Sequence, residues 1–157
     1  MRTEKAMTRD VVCISPEDSI ADAYDVMTEW EIRHLPVLDR GVLVGILSDR
    51  DVLIHASKGA GDRLLFEDVA VAEAMTPNPI KCRRNTEIST LCELMLRHKI
   101  DSMPIVEDHE LVGLVTSSDL IQLLFELQEA GARRPIPFQF HVYSSIRPGQ
   151  YKKAGRL

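Results

Sequence analysis

The sequence predicts an α/β (α+β) fold made of two copies of a β-α-β-β-α unit packed about a pseudo-twofold axis. The first observation is an internal repeat: at an offset of 68 residues the chain aligns with itself without a gap, with eleven identical pairs across residues 6–53. Unrelated segments of this length would share about three. The second is that each copy has only about 50 residues, too few to bury a good core alone. Two copies packed sheet against sheet would bury one together.

The same elements are predicted in the same order in each copy. A repeated Ala-Met-Thr leads into a short extended segment, at residues 11–14 and 80–82. A helix follows, and its start in the first copy carries Ser19 and Asp22, three residues apart, as in a capping box. Two strands come next, at 35–38 and 43–47, and again at 103–106 and 111–115, and a final helix closes each copy. The apolar residues spaced as one helical face are Ile20, Ala23, Met27 and Trp30 in the first copy and Ile88, Leu91 and Met95 in the second.

These repeats divide the chain into four parts. Residues 1–58 form the first repeat, 59–74 a linker, 75–127 the second repeat and 128–157 a basic C-terminal tail. Glycines at 59 and 61 break the chain after the first repeat, and residues 64–74 have the pattern of a short amphipathic segment. The tail alternates apolar and polar residues over 138–143, as a strand would. We expect it to add a strand, to swap onto a dimer mate, to dock a partner, or to be a mobile end.

The charge is divided unevenly along the chain. The net charge is −5, yet residues 131–157 carry six basic and no acidic residues, which leaves −11 for the rest. An acidic body argues against nucleic-acid binding by the main domain, although the tail could contact RNA or DNA. The first residues lack the apolar stretch of a signal peptide, and no apolar run is long enough for a membrane span, so we expect a cytoplasmic protein. Cys13, Cys82 and Cys92 form no C-x-x-C pair and are expected to be buried thiols.

The final helix of each copy begins at a repeated motif, Ser48-x-x-Asp51 and Thr116-x-x-Asp119. One interpretation is structural, because a hydroxyl at the N-cap and a carboxylate three residues later satisfy free amides at a helix start. The other is functional. A helix start suits a phosphate, the hydroxyl can donate to it, and the aspartate can accept the hydroxyls of a ribose. A glycine three residues before each hydroxyl would let another backbone approach closely.

The complete pattern resembles one known family. The segments I-R-H-L-P-V-L-D and L-V-G-I-L-S-D-R-D-V return as I-D-S-M-P-I-V-E and L-V-G-L-V-T-S-S-D-L. Over residues 4–125 this is similar to tandem cystathionine β-synthase (CBS) domains, the Bateman module. The resemblance implies a regulatory, non-enzymatic homodimer that binds an adenosine-containing ligand in clefts between the repeats. It also implies a regulated protein partner.

The resemblance also implies which residues contact the ligand. In the first cleft Asp51 would hold the ribose, Ser48, Arg50 and Arg33 would face the phosphates, and Ile80 would pack on the adenine. Lys99 and Ile100 would line the rim, with His34 adjacent. In the second cleft the implied contacts are Asp119 to ribose, Thr116 and Ser118 to phosphate, and Val12 to the base.

The two clefts differ in charge, because the positions that match Arg33 and Lys99 are Asp101 and Glu31. Since phosphates need positive partners, we expect the Asp51 cleft to bind the more phosphorylated nucleotide, such as AMP, ADP or ATP. The Asp119 cleft should be empty or hold a neutral or cationic compound such as S-adenosylmethionine. No metal or other cofactor is expected, because no ligand cluster is legible. The alternatives are a scaffolding dimer in which the aspartates only cap helices, and a nucleic-acid accessory that uses the tail.

Overall fold

The computed structural model describes residues 1–59 and 64–129, so the strand-like segment and basic residues of the tail lie outside the described residues. Each copy contributes a helix, a two-stranded hairpin and a closing helix. In the first copy these are α1 (Ile20–Glu29), β1 (His34–Asp39), β2 (Val42–Ser48) and α2 (Asp49–Ile54). Between the copies lie β3 (Ala56–Lys58), β4 (Leu64–Phe66), α3 (Val71–Ala74) and β5 (Thr76–Pro77). The second copy has α4 (Ile88–His98), β6 (Ser102–Glu107), β7 (Glu110–Thr116) and α5 (Ser117–Glu129).

The two hairpins have the same register, which confirms the duplicated fold. His34 pairs with Ser48 in β1 and β2, and Ser102 pairs with Thr116 in β6 and β7, 68 residues later. Both ladders are antiparallel and both contain one irregularity at the equivalent place. The predicted extended segments also lie equivalently, because Ile14 bridges Val37 and Cys82 bridges Ile105, both in parallel. The α1 capping box between Ser19 and Asp22 is present as predicted.

The segment that leads into each copy is hydrogen-bonded to the other copy. The backbone amide and the hydroxyl of Thr3 both donate to the carbonyl of Thr86, at 2.9 Å each. At the matching positions, the amide of Val71 donates to the carbonyl of Asp18 at 2.8 Å. Thr3 and Val71 are both fully buried. Val71 lies inside the segment predicted as a linker, so part of that segment belongs to the core of the first copy.

The strand glycine of each copy packs against the methionine in the leading segment of the other copy. A Cβ at Gly45 would overlap the sulfur of Met75 and lie 2.9 Å from its Cγ. A Cβ at Gly113 would lie 2.9 Å from the sulfur of Met7 and 3.0 Å from the carbonyl oxygen of Thr8. The glycines therefore make room mainly for a methionine side chain, whereas the sequence led us to expect an approaching backbone. The Met of each Ala-Met-Thr thus packs against the strand glycine of the other copy.

Three clusters form the core. One surrounds α1 and the first hairpin, one surrounds α4 and the second hairpin, and a third joins the copies. The third contains Val11 and Cys13 with Leu43, Leu111 and Leu114. A single strand pair, Val42 with Glu110, also connects β2 to β7 and gives the strand order β1-β2-β7-β6, with β5 on β2. Met27 and Met95 are buried as predicted, and Trp30 packs half-buried at the edge of the first cluster.

Candidate functional site

The two Ser/Thr-x-x-Asp motifs form capping boxes of the same geometry. The Ser48 hydroxyl donates to Asp51 Oδ2 at 2.7 Å and accepts from the Asp51 amide at 3.3 Å. In the second motif Thr116 and Asp119 make the same two bonds at the same lengths. The structural interpretation of the motif is therefore confirmed at α2, and the second motif has the same bonds at the start of α5. Both bonds that the Asp51 carboxylate accepts from Ser48 end on Oδ2, which leaves Oδ1 for a further donor.

A cleft of about 840 Å³ opens beside the first motif. One side is formed by β1, β2 and α2 of the first copy. The other side is formed by residues 76–80, which precede α4, and by residues 98–102, which connect α4 to β6. All eight residues predicted for the first cleft line it: Arg33, His34, Ser48, Arg50, Asp51, Ile80, Lys99 and Ile100. The structure thus brings together residues up to 67 positions apart in the chain. Eleven further residues line this cleft that the sequence did not assign to it: Ile46, Asp49, Leu53, Ile54, Thr76, Asn78, Pro79, His98, Asp101, Ser102 and Ser117.

The backbone amides at the start of α2 are already bonded within the protein. The Asp49 amide donates to the Arg33 carbonyl at 2.9 Å, and the Arg50 amide donates to Asp49 Oδ1 at 2.8 Å. The Asp51 amide donates to Ser48, as described above. An anion in this cleft would therefore depend on side-chain cations rather than on free amides of this six-residue helix.

Opposite charges are balanced in the cleft. The cations predicted from the sequence, Arg33, Arg50 and Lys99, all line it. Three carboxylates, Asp49, Asp51 and Asp101, line it as well. Asp101 is the residue that the sequence led us to place in the second cleft. The expected contrast between a basic first cleft and an acidic second cleft is therefore smaller than the repeat alignment indicated.

His34 lies among these charged groups at the start of β1. Burial lowers the pKa of its imidazole below the ordinary value, and the nearby Arg33 acts in the same direction. The carboxylates of Asp49, Asp101 and Asp51 oppose that shift without cancelling it. The lowered pKa favours the neutral ring, in which one nitrogen can donate a hydrogen bond and the other can accept one.

Apolar side chains supply another part of the lining. Ile80 and Ile100 are half-buried, whereas Leu53 and Ile54 of α2 are 49% and 71% exposed. Large exposed aliphatic residues beside charged groups are typical of small-molecule sites that take a flat apolar ring. Leu53 and Ile54 follow the aspartate motif directly, but nothing in the sequence distinguished them from core residues.

The residues predicted for the second cleft are not part of this lining. Thr116, Ser118 and Asp119 lie together at the β7–α5 junction, where Thr116 and Asp119 form the capping box. Val12 is 9% exposed and packs in the first core cluster. One side-chain hydrogen bond links the lining of the first cleft to this junction: the guanidinium Nη2 of Arg33 donates to the Ser118 hydroxyl at 3.3 Å.

Within residues 1–59 and 64–129, no group of three or more His, Cys, Asp or Glu side chains is placed to hold a metal ion. Over the same ranges, no helix combines the length and apolarity needed to cross a bilayer.

Comparison with known proteins agrees with this duplicated architecture. The family model of the CBS domain matches twice, at residues 4–58 and 71–126. The chain belongs to the CBS domain family. Its two CBS repeats form a tandem pair, and the second match includes α3, which begins at the Val71 that is buried in the first copy.

Two relatives show how such a pair occurs in other proteins. A CBS domain-containing protein of Bacillus subtilis, YhcV, is 31% identical over 127 residues, which is 80% of this chain and 87% of the relative. Inosine-5'-monophosphate dehydrogenase of Korarchaeum cryptofilum is 39% identical over 157 residues, 99% of this chain but only 30% of the enzyme. The chain therefore spans less than a third of that enzyme.

Solved structures of CBS pairs share the fold. The CBS domain pair of protein MJ0100, in complex with 5′-methylthioadenosine and S-adenosyl-L-methionine, superposes with a TM-score of 0.67 at 25% identity, over 79% of this chain and 99% of that one. CBSX2 in complex with AMP has a TM-score of 0.68 at 24% identity, over 81% and 98%. These two CBS pairs thus bind adenosine-containing ligands.

Proposed function

We propose that this CBS pair is a regulatory module that binds an adenosine-containing ligand in the cleft beside Asp51 and signals its presence to a protein partner. The observation that carries the proposal is the assembly of all eight predicted contacts around one cleft of about 840 Å³. The adenosine ligands of the structurally similar CBS pairs support it.

Each part of an adenosine ligand has a chemically suitable partner in this cleft. Asp51 Oδ1 can accept the ribose hydroxyls while Oδ2 keeps its bonds to Ser48. Ile80 and Ile100 offer apolar surface to the adenine, and the Arg33 and Arg50 guanidinium groups can bond a phosphate. The Ser48 hydroxyl donates to Asp51, so its predicted bond to phosphate would require the hydroxyl hydrogen to turn away from that carboxylate.

The charge balance favours a ligand of small net charge. Three carboxylates in the lining offset three cations, so each additional phosphate would meet more repulsion than the sequence suggested. We therefore place AMP and S-adenosylmethionine ahead of ADP and ATP for the Asp51 cleft. The Asp119 site remains a candidate for a second ligand of low negative charge.

Signalling would follow from the ligand's position between copies. A bound adenosine would touch Asp51 of the first copy and Lys99 and Ile100 of the second, so it favours one relative orientation of the copies. The outer surface available to a partner would change with that orientation. We assign the chain a regulatory rather than a catalytic role.

A homodimer is part of this proposal, and α5 is the helix best suited to form it. Ile121, Leu124, Phe125 and Leu127 of α5 are 46–68% exposed, a larger apolar surface than a solvated helix usually presents. Light scattering after gel filtration should give twice the mass of the chain, and Phe125→Glu should give the monomer mass.

The ligand proposal is tested by calorimetric titration of the full chain with AMP. Asp51→Ala should weaken binding at the first cleft at least tenfold, because the ribose loses its acceptor. Asp22→Ala is the matched control, since Asp22 makes the same capping box with Ser19 and lies outside the cleft lining. Equal AMP affinity in the wild type and the Asp51→Ala variant would refute the assigned role of Asp51.

The scaffolding alternative predicts a different result in the same titration. If the aspartates only cap helices, neither AMP nor S-adenosylmethionine produces heat above dilution. Both Asp22→Ala and Asp51→Ala would then alter stability alone.

A further inference from the structure

We propose that the two clefts share one cation, Arg33, so that a phosphate-bearing ligand in the first cleft weakens the binding of a second such ligand beside Asp119. This inference rests on the proposed function. Arg33 lines the first cleft, yet its guanidinium donates to Ser118, which belongs to the Thr116–Asp119 junction of the second copy. Among the described residues, it is the one side-chain hydrogen bond between a residue that lines the first cleft on the first copy and the Thr116–Asp119 junction.

The pseudo-twofold axis shows why the second site depends on Arg33. The first-cleft cations Arg33, Arg50 and Lys99 correspond, 68 positions away, to Asp101, Ser118 and Glu31. The second site therefore has no cation of its own at these three positions. The symmetry mate of the Arg33–Ser118 contact would join Asp101 to Arg50, a pair of opposite charge that does not form a salt bridge in the described part of the chain.

The strengths of the two possible bonds of Arg33 determine the sign of the coupling. A bond from the Arg33 guanidinium to a phosphate oxygen joins two opposite charges, whereas its bond to the Ser118 hydroxyl has a neutral acceptor. The bond to the Ser118 hydroxyl is long, at 3.3 Å, and both side chains are exposed. A phosphate in the first cleft should therefore draw the guanidinium away from Ser118. The second site would lose the guanidinium that is bonded to its Ser118 hydroxyl, and by linkage the reverse effect must be equally large.

The coupling is measured by comparing two affinities for AMP, both by calorimetry on the full chain. One is the affinity of the wild type for its second AMP molecule, which binds when the first cleft is already filled. The other is the affinity of Asp51→Asn, in which the first cleft is disabled and Arg33 stays with Ser118. We expect the affinity of the variant for AMP at the second site to be at least about fivefold higher than the affinity of the wild type for its second AMP. A factor of about five is the lower end of the usual range for coupling between two sites.

A second substitution assigns the effect to Arg33. Adding Arg33→Ala to Asp51→Asn should return the second-site affinity to that of the wild-type second step. Adding Lys99→Ala is the matched control, because Lys99 is a cation of the same cleft with no bond to Ser118, and it should leave the second site unchanged.

The outcomes separate this inference from the function on which it rests. If AMP binds to none of the proteins, the inference fails, and the proposed function fails with it if the other adenosine compounds do not bind either. If the wild type binds AMP but Asp51→Asn binds it no more tightly than the wild-type second step, or not at all, the sharing of Arg33 is refuted and the proposed function stands. Equal effects of Arg33→Ala and Lys99→Ala would also refute it.

Discussion

At the scale of single residues, the same side chain has both a structural and a proposed ligand-binding role. Asp51 caps α2 through Oδ2 and still has Oδ1 for a ribose, so the two interpretations of the motif are compatible. The identity of these residues was predictable because the repeat displays them twice. The three acids that accompany the cations were not all predictable, since Asp101 follows Asp51 by 50 positions and only the fold places it in the same cleft.

The packing of glycine against methionine gives a prediction at this scale. Gly45→Ala should lower the free energy of unfolding by about 1–3 kcal/mol, because the added Cβ overlaps the Met75 sulfur. Urea denaturation measures this loss. In the double variant Gly45→Ala/Met75→Ala the overlap is gone, so the two changes should cost less together than their sum. Strict additivity would mean that the two residues are not in contact.

His34 gives a prediction about pH. Because burial lowers the pKa of its imidazole in the folded chain, the unfolded chain binds the proton more tightly. The contribution of His34 to stability should therefore fall as the pH drops from about 6.5, the unfolded value, to the lower folded pKa. Replacing His34 with Gln should flatten this part of the stability curve, measured by urea denaturation at pH 5, 6, 7 and 8. Replacing His98, an exposed histidine of the same cleft, is the control, and an equal flattening there would contradict the role of His34.

At the scale of elements, the order and register of the main helices and strands could be predicted. The packing of each leading segment against the other copy could not. Periodicity and the turn at 39–41 placed β1 and β2 within one residue of their observed bounds. The short hairpin of β3 and β4 falls where glycines led us to expect a break, and residues 124–126, which match β3, belong to the helix α5. The burial of Val71 in the other copy is a long-range contact, which no local pattern encodes.

The capping boxes separate stability from ligand binding at this scale. Ser19→Ala and Ser48→Ala each remove the same hydroxyl bonds at the start of a helix, so each should lower the free energy of unfolding by about 0.5–2 kcal/mol. Only Ser48→Ala should also weaken AMP binding, because Ser48 lines the cleft and Ser19 does not. Denaturation and calorimetry on the same samples provide both quantities. If Ser19→Ala weakened AMP binding as much, the loss would reflect stability rather than contact.

At the scale of the whole molecule, duplication explains both the fold and the inequality of its two sites. The pseudo-twofold axis imposes equal backbone geometry, as the matching strand registers show. Substitutions since the duplication have changed the charges at equivalent positions, for example Arg33 and Asp101. The cleft beside Asp51 was predictable from the resemblance. Its charge was not, because residues of both copies line it.

The central claim is that the folded pair binds an adenosine compound, and a thermal-shift series on the full chain tests it most directly. AMP, ADP, ATP and S-adenosylmethionine would each be added in turn, with guanosine monophosphate as the control for the base. A ligand that binds only the folded state adds about 2.7 kcal/mol at one hundred times its dissociation constant, which raises the midpoint by several degrees. We expect this rise for AMP or S-adenosylmethionine. An unchanged midpoint with all four adenosine compounds would contradict it.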